Sequence, residues 1–356
     1  MRVLALVLAA FLLAGCGGHT GPSFVVGAVD DSPRWEPASV AKAKEAGFRA
    51  DVLSAVWKRG GPNGDQGLRG VPKALEDAGI EPVLAVYQFS ASTPLTDADR
   101  QQFASFAVSL VKELPEVRTV IVGNEPNLNL FWMPQFDASG GDAAAAAYEH
   151  LLATTYDALK AQDPKLTVVG GALAPRGGDD PGSSRPTHSP TAFLRDLGAA
   201  YRASGRTKPL MDELDVHVYG ETPRIPPTLK HPRTTSIGIA DYGKLVGLVQ
   251  QAFGKELPIV YGEYGVESTV PPPIAQRHYT GHEVVSPVDQ KTQGAYYRDA
   301  IGLASCQPDV KALYLFHVLD EQQLEGLQSG VYYADGEPKA SLPVVRQAIE
   351  HPRCRR

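Results

Sequence analysis

Short, almost continuously apolar runs alternate with longer stretches of helical spacing along most of this chain. The apolar runs fall at 24–29, 48–57, 82–89, 117–123, 166–172, 214–219, 257–262 and 310–318, rich in Val, Ile, Leu, Phe and Tyr. Runs of this length without strict alternation predict strands buried on both faces, as in a parallel sheet covered by helices. Helical spacing follows each run, at 38–46, 71–78, 97–114, 142–161, 191–203, 240–253, 290–305 and 342–349. Gly47 and Gly79 end the first two helices, and Thr96 caps the third. Eight strand–helix units in unbroken order close most economically into a single-domain (β/α)8 barrel over residues 24–356. The competing arrangement is an open, doubly wound α/β sheet. Its glycine fingerprint is missing: the first strand runs Gly27-Ala28-Val29 into Asp30-Asp31.

The loops are uneven. Those after strands four to seven are long and polar or proline-rich, at 127–141, 176–190, 221–236 and 267–289, whereas most loops entering strands are tight. In a barrel this puts the elaborated loops on the C-terminal face, where active sites form.

The amino terminus carries a separate message. Arg2 precedes an apolar run from Val3 to Leu13, too short to span a bilayer, and the run ends in Leu13-Ala14-Gly15-Cys16. This resembles the lipobox of bacterial lipoproteins, which implies a signal peptide over 1–15, lipidation of Cys16 and a tether over 16–23. The chain is then expected in the cell envelope or outside the cell, held to a membrane by its lipid. An ordinary secretory signal cleaved near Gly17 or Gly18 is the alternative. In an exported chain Cys306 and Cys354 are free to pair, and sequence alone leaves a bridge and two free thiols equally open. Composition adds little: 43% hydrophobic and 21% charged residues describe an ordinary globular protein, and a net charge of −6 argues against a nucleic-acid partner. Nothing suggests a cofactor, and a monomer is expected.

Two strands deliver a glutamate directly to the predicted mouth. The fourth ends Val-Ile-Val-Gly-Asn124-Glu125-Pro126, and the seventh ends Val-Tyr-Gly-Glu263-Tyr264. Paired carboxylates across one rim are the chemical requirement of glycoside cleavage, one to protonate the leaving oxygen and one to meet the oxocarbenium-like carbon. On Asn124-Glu125-Pro126 and Glu263 the chain resembles the retaining (β/α)8 glycoside hydrolases of clan A, the cellulases and β-xylosidases among them. The resemblance implies Glu125 as acid/base, Glu263 as nucleophile, Asn124 on the sugar 2-hydroxyl, and a carbohydrate substrate. The nearby Glu263 charge and partial burial are expected to raise the Glu125 pKa, and hydrogen-bond donors to keep Glu263 ionised. In Asp215-Val-His217-Val-Tyr219 the resemblance places His217 beside the cleaved sugar and Tyr219, or failing it Tyr264, as donor to the nucleophile. The clan's tryptophan on the eighth strand is replaced by Phe316-His317. Its second-strand arginine is absent from Asp51-Val-Leu-Ser54, with Arg49 too early and Arg34 the candidate substitute.

Among the remaining aromatics, Trp57 and Trp132 are expected to line sugar subsites, and Trp35, Tyr87 and Phe131 to pack in the core. No metal is expected: His278, His282 and Glu283 follow Pro271–Pro273 and read as loop. Two other functions fit the same barrel: a non-catalytic carbohydrate-binding lipoprotein, and an inverting hydrolase or transglycosylase.

Overall fold

The structure, a computed structural model, describes residues 24–352 and residue 354. The expected signal peptide, Cys16 and the expected tether lie outside the described residues. The eight strands are β1 (Val25–Val29), β2 (Ala50–Val56), β3 (Glu81–Tyr87), β4 (Thr119–Val122), β5 (Thr167–Leu173), β6 (Glu213–Val216), β7 (Ile259–Tyr264) and β8 (Val310–Phe316). They pair in parallel in chain order, and β8 closes on β1 through five residue pairs from Val25↔Ala312 to Val29↔Phe316. The expected (β/α)8 barrel is therefore observed. Around it run α1 (Ala38–Ala46), α2 (Val71–Ala78), α3 (Asp97–Glu113), α4 (Ala143–Gln162), α5 (Pro190–Ala203), α6 (Tyr242–Phe253), α7 (Pro272–His278), α8 (Gln290–Ala304) and α9 (Leu342–Glu350).

Strand alternation sorts the apolar residues into two cores. Val29, Val52, Val83, Ile121, Val169 and Val260 fill the barrel interior, while Leu53, Phe103, Phe193, Leu197 and Tyr297 pack between strands and helices. The interior also takes Tyr314, and Gly27 makes the room: a Cβ there would fall 2.8 Å from the Tyr314 ring. Helix ends follow local chemistry. Thr96 and Asp99 form a reciprocal capping box on α3, and Asp142 caps α4 by accepting from Ala145 N–H at 2.8 Å. Cys306, just past α8, is bonded to Cys354 and ties down the tail beyond α9.

Three differences from expectation bear on the site and its loops. β6 stops at Val216, so His217 and Tyr219 stand just beyond it. β7 continues to Tyr264, so Glu263 lies within a strand. The segment expected as loop before His278 contains α7, because Pro272 and Pro273 occupy its first turn, where their missing N–H groups cost nothing.

Candidate active site

The end of β4 is held in a tight, left-handed turn. Gly123 has φ +88°, and Glu125 has φ +38°, a conformation that a non-glycine residue adopts only where its surroundings enforce it. The Glu125 N–H donates to the Ala172 carbonyl at 2.8 Å, and its own carbonyl accepts from Leu128 N–H at 2.8 Å. Beneath the turn the Tyr148 hydroxyl donates to Val122 O at 2.6 Å and accepts from Gly171 N–H at 2.8 Å, tying β4 to β5. Asn127 clamps the loop from above through Ala174 and His188. The geometry fixes Glu125 at the mouth through backbone and buried side chains alike.

Across the mouth, β7 presents Glu263. The residue before it must be glycine: Gly262 N–H donates to Asp215 Oδ1 at 2.8 Å, and a Cβ would lie 2.2 Å from both Asp215 oxygens. Asp215, His217 and Tyr219 follow every second position, and all three reach the centre. His217, 2% exposed, stands between the glutamates, its Nδ1 at 3.0 Å from Glu125 Oε1 and 3.4 Å from Glu263 Oε2. The Tyr219 hydroxyl donates to Glu263 Oε2 at 3.0 Å. The nearest ligating atoms of Glu125, His217 and Glu263 all lie within 4.8 Å of one another.

These distances set the charge. Burial pushes Glu263 up to about 7; the His217 charge opposes this and the Glu125 charge adds to it. Burial pulls His217 down, but Glu263, the Glu125 hydrogen bond and Asp215 overcome it and carry the imidazole up to about 10. Burial likewise lifts Asp215 to about 6 against the pull of His217. At neutral pH an imidazolium therefore sits among three carboxyl groups. The expectation of an ionised Glu263 therefore meets a burial that favours its protonated form, opposed by the His217 charge. The Glu–His–Glu set also has the donors of a divalent-metal site, but a metal needs the neutral imidazole, which the His217 environment opposes.

The cleft above this centre has a volume of about 820 Å³. Asn124, Glu125, His217, Glu263 and Phe316 line it, and Tyr219 stands behind Glu263 with its ring 6.3 Å from that of Phe316. The other expected sugar platforms are misplaced. Trp57 continues the outward-facing series Leu53, Ala55 on β2 and packs edge-on against Phe103. Trp132 is fully buried against Tyr148, because the turn after Leu128 sends adjacent side chains to opposite sides. The cleft instead receives Trp35, Tyr87 and Phe131, the aromatics expected in the core, together with Phe89, which stacks on Phe131 at 5.5 Å. Trp35 remains 71% exposed.

Further candidates resolve cleanly. Tyr264 faces the outer core against Tyr297, leaving Tyr219 as donor to Glu263. Arg34 is committed to Asp31 and Asp65 at 2.8 and 2.9 Å, and Arg49 lies at the opposite end of the barrel beside Phe24. His278 and His282 pair separately with Asp335 and Glu325 rather than with each other. Asp215 was overlooked in the sequence, although its alternation with His217 and Tyr219 marks it as facing the same side.

A second cavity, about 750 Å³, meets the first at Glu125. Tyr219, Arg176, Arg224, Glu221 and Glu267 border it.

No protein-family model and no curated protein matches the sequence. Solved structures match the fold. A glucosidase from Croceicoccus marinus superposes with TM-score 0.64 at 12% identity, covering 93% of this chain and 67% of that one. The GH39 enzyme from Xanthomonas axonopodis pv. citri gives 0.56 at 18% identity, covering 94% and 71%. A Bacteroides uniformis β-glucuronidase gives 0.56 at 12% identity, and this chain spans only 34% of its length. At such identities the likeness establishes the barrel.

Proposed function

We propose that this chain is a retaining glycoside hydrolase that cleaves O-glycosidic bonds of an oligo- or polysaccharide by double displacement. The observation that carries the reading is the convergence of Glu125 and Glu263 at one barrel mouth, their nearest oxygens within 4.8 Å. Retaining enzymes hold the carboxyl groups ~5–5.5 Å apart, and inverting ones ~6.5–9.5 Å apart to admit a water. The close spacing favours retention. The presence of both carboxyls favours turnover over mere sugar binding, and the solved neighbours named above include glycosidases.

In this reading Glu263 attacks the anomeric carbon, the glycosidic C–O bond breaks, and Glu125 gives its proton to the departing oxygen. Water then attacks the glycosyl–enzyme ester with Glu125 as base, releasing Glu263 and the sugar. Tyr219 orients Glu263 through the 3.0 Å hydrogen bond, and the His217 imidazolium holds both carboxyls in register. Asn124 faces the cleft where a 2-hydroxyl would lie. The Glu263→Ala variant should lose at least ~10³-fold in turnover and recover part of it with azide, giving a glycosyl azide of inverted configuration. A fully active variant contradicts the assignment.

We further propose, from Leu13-Ala14-Gly15-Cys16 after the apolar run, that the chain is exported as a lipoprotein acylated on Cys16. Incorporation of labelled palmitate, lost in Cys16→Ser, tests this.

A further inference from the structure

Glu125 is the only catalytic side chain shared by both cavities: Glu263 lines the larger alone. If the proposed mechanism holds, the lobe containing Glu263 receives the glycone, and the lobe beyond Glu125 receives the leaving group. The two lobes differ in charge. Among the described residues no Lys or Arg lines the glycone lobe, whereas Asp31, Glu36, Asp320 and Glu321 join the catalytic carboxyls in its wall. The His217 imidazolium in that wall is held between the catalytic carboxyls, and the cations behind it are engaged as well: Arg34 is shared by Asp31 and Asp65, and Lys339 is fully buried on Asp320 at 2.6 Å. Glu321 accepts from Leu327 N–H at 3.2 Å and has His317 at 3.8 Å. The lobe therefore keeps a net negative charge, with the exposed ring of Trp35 at its rim.

The leaving-group lobe is the reverse. Arg176 gives one N–H to Gly220 O at 3.0 Å and keeps the rest of its guanidinium exposed, and Arg224 is exposed beside it. Of the two acids added to this lobe, Glu221 is paired with His231 at 3.2 Å. Glu267 is pushed up to about 7 by burial and by its acidic neighbours, and so carries only part of a charge at neutral pH.

We propose that the cleft is electrically polarised across the scissile bond. The glycone lobe accepts a neutral or amine-bearing sugar and rejects a uronate, and Arg176 and Arg224 bind a leaving-group unit bearing a carboxylate or sulfate. Like charges brought together in a cleft repel, and an arginine fork suits planar and tetrahedral oxyanions. The polarity names the substrate class of the proposed hydrolase and rests on that function.

The experiment takes the best neutral aryl glycoside and compares it with its 6-carboxylate and 6-amino-6-deoxy counterparts. The carboxylate should fall about 100-fold or more in kcat/KM, and the amine should equal or exceed the parent. In a second arm the aryl leaving group carries a carboxylate, a sulfate or neither. The preference for the anionic forms should drop at least ~5-fold in Arg176→Ala/Arg224→Ala, return in part in Arg224→Lys, and fade with added salt. Circular dichroism verifies that the variants fold. A 6-carboxylate handled as well as the parent, or an anionic preference untouched in the double variant, overturns the polarity while leaving the hydrolase intact. If no glycoside is turned over, the hydrolase reading falls. Saturation-transfer NMR with glucuronate on the wild type and on Arg176→Ala/Arg224→Ala then decides the polarity alone: a signal lost in the double variant supports it, and a signal untouched there overturns it.

Discussion

The barrel interior and the barrel mouth are separated by two or three residues along each strand, yet they are built for different ends. On β2 the inward series passes from Val52 to Ser54, from β4 the chain passes from Ile121 to Asn124 and Glu125, and on β7 it passes from Val260 to Glu263. The interior side chains are small or branched, apolar and close-packed, so each stabilises the fold by burial at roughly 25 cal/mol per Å². At the mouth the ionisable groups Asp215 and His217 are buried and Glu263 is half-buried, and Glu125 and Ala172 hold positive φ. Burying charge and holding such backbone are unfavourable, and they persist where chemistry uses them. Stability and function are thus divided along the barrel axis.

Breaking that division should show first at Glu125. Glu125→Ala should cut turnover of substrates with poor leaving groups by about 10³-fold and spare activated aryl glycosides, since only the former need the proton. Equal loss on both would remove its role as acid. Trp132→Ala tests the opposite side. It should destabilise the protein by about 3–5 kcal/mol in denaturant titration and leave the KM of the folded protein near wild type. A raised KM with unchanged stability would return Trp132 to the cleft. A subtler effect is expected at His217. Its positive charge lowers the Glu263 pKa, so His217→Asn should raise that pKa above about 7 and move the acid limb of the kcat/KM profile to higher pH. A limb that stays put, or moves down, separates His217 from the pair. The smallest change is at the rim: Trp35→Ala should raise KM for an oligosaccharide several-fold, about 0.5–1.5 kcal/mol of ring contact, and affect a monosaccharide glycoside less.

Much of this was legible in the chain. Parallel strands covered on both faces leave uninterrupted apolar runs, and a glutamate directly after such a run has nowhere to go but the rim. Glu125 and Glu263 are readable for that reason. The face of a strand is harder to read, because periodicity does not say which parity points inward. Trp57 was misplaced by that choice, and Asp215 was missed although it shares the parity of His217. Trp132 and Phe131 exchange roles through one turn, set by hydrogen bonds to Leu128 that no local pattern announces. The contact between His217 and Glu125 spans 92 positions and depends on barrel closure. The bond between Cys306 and Cys354 likewise depends on where α8 and the tail meet.

The most direct test is the anomeric configuration of the first sugar released, followed by proton NMR on any aryl glycoside the protein hydrolyses before mutarotation sets in. Two carboxyls this close predict a product with the configuration of the substrate. An inverted first product would show that a water, not Glu263, meets the anomeric carbon, and would contradict the account.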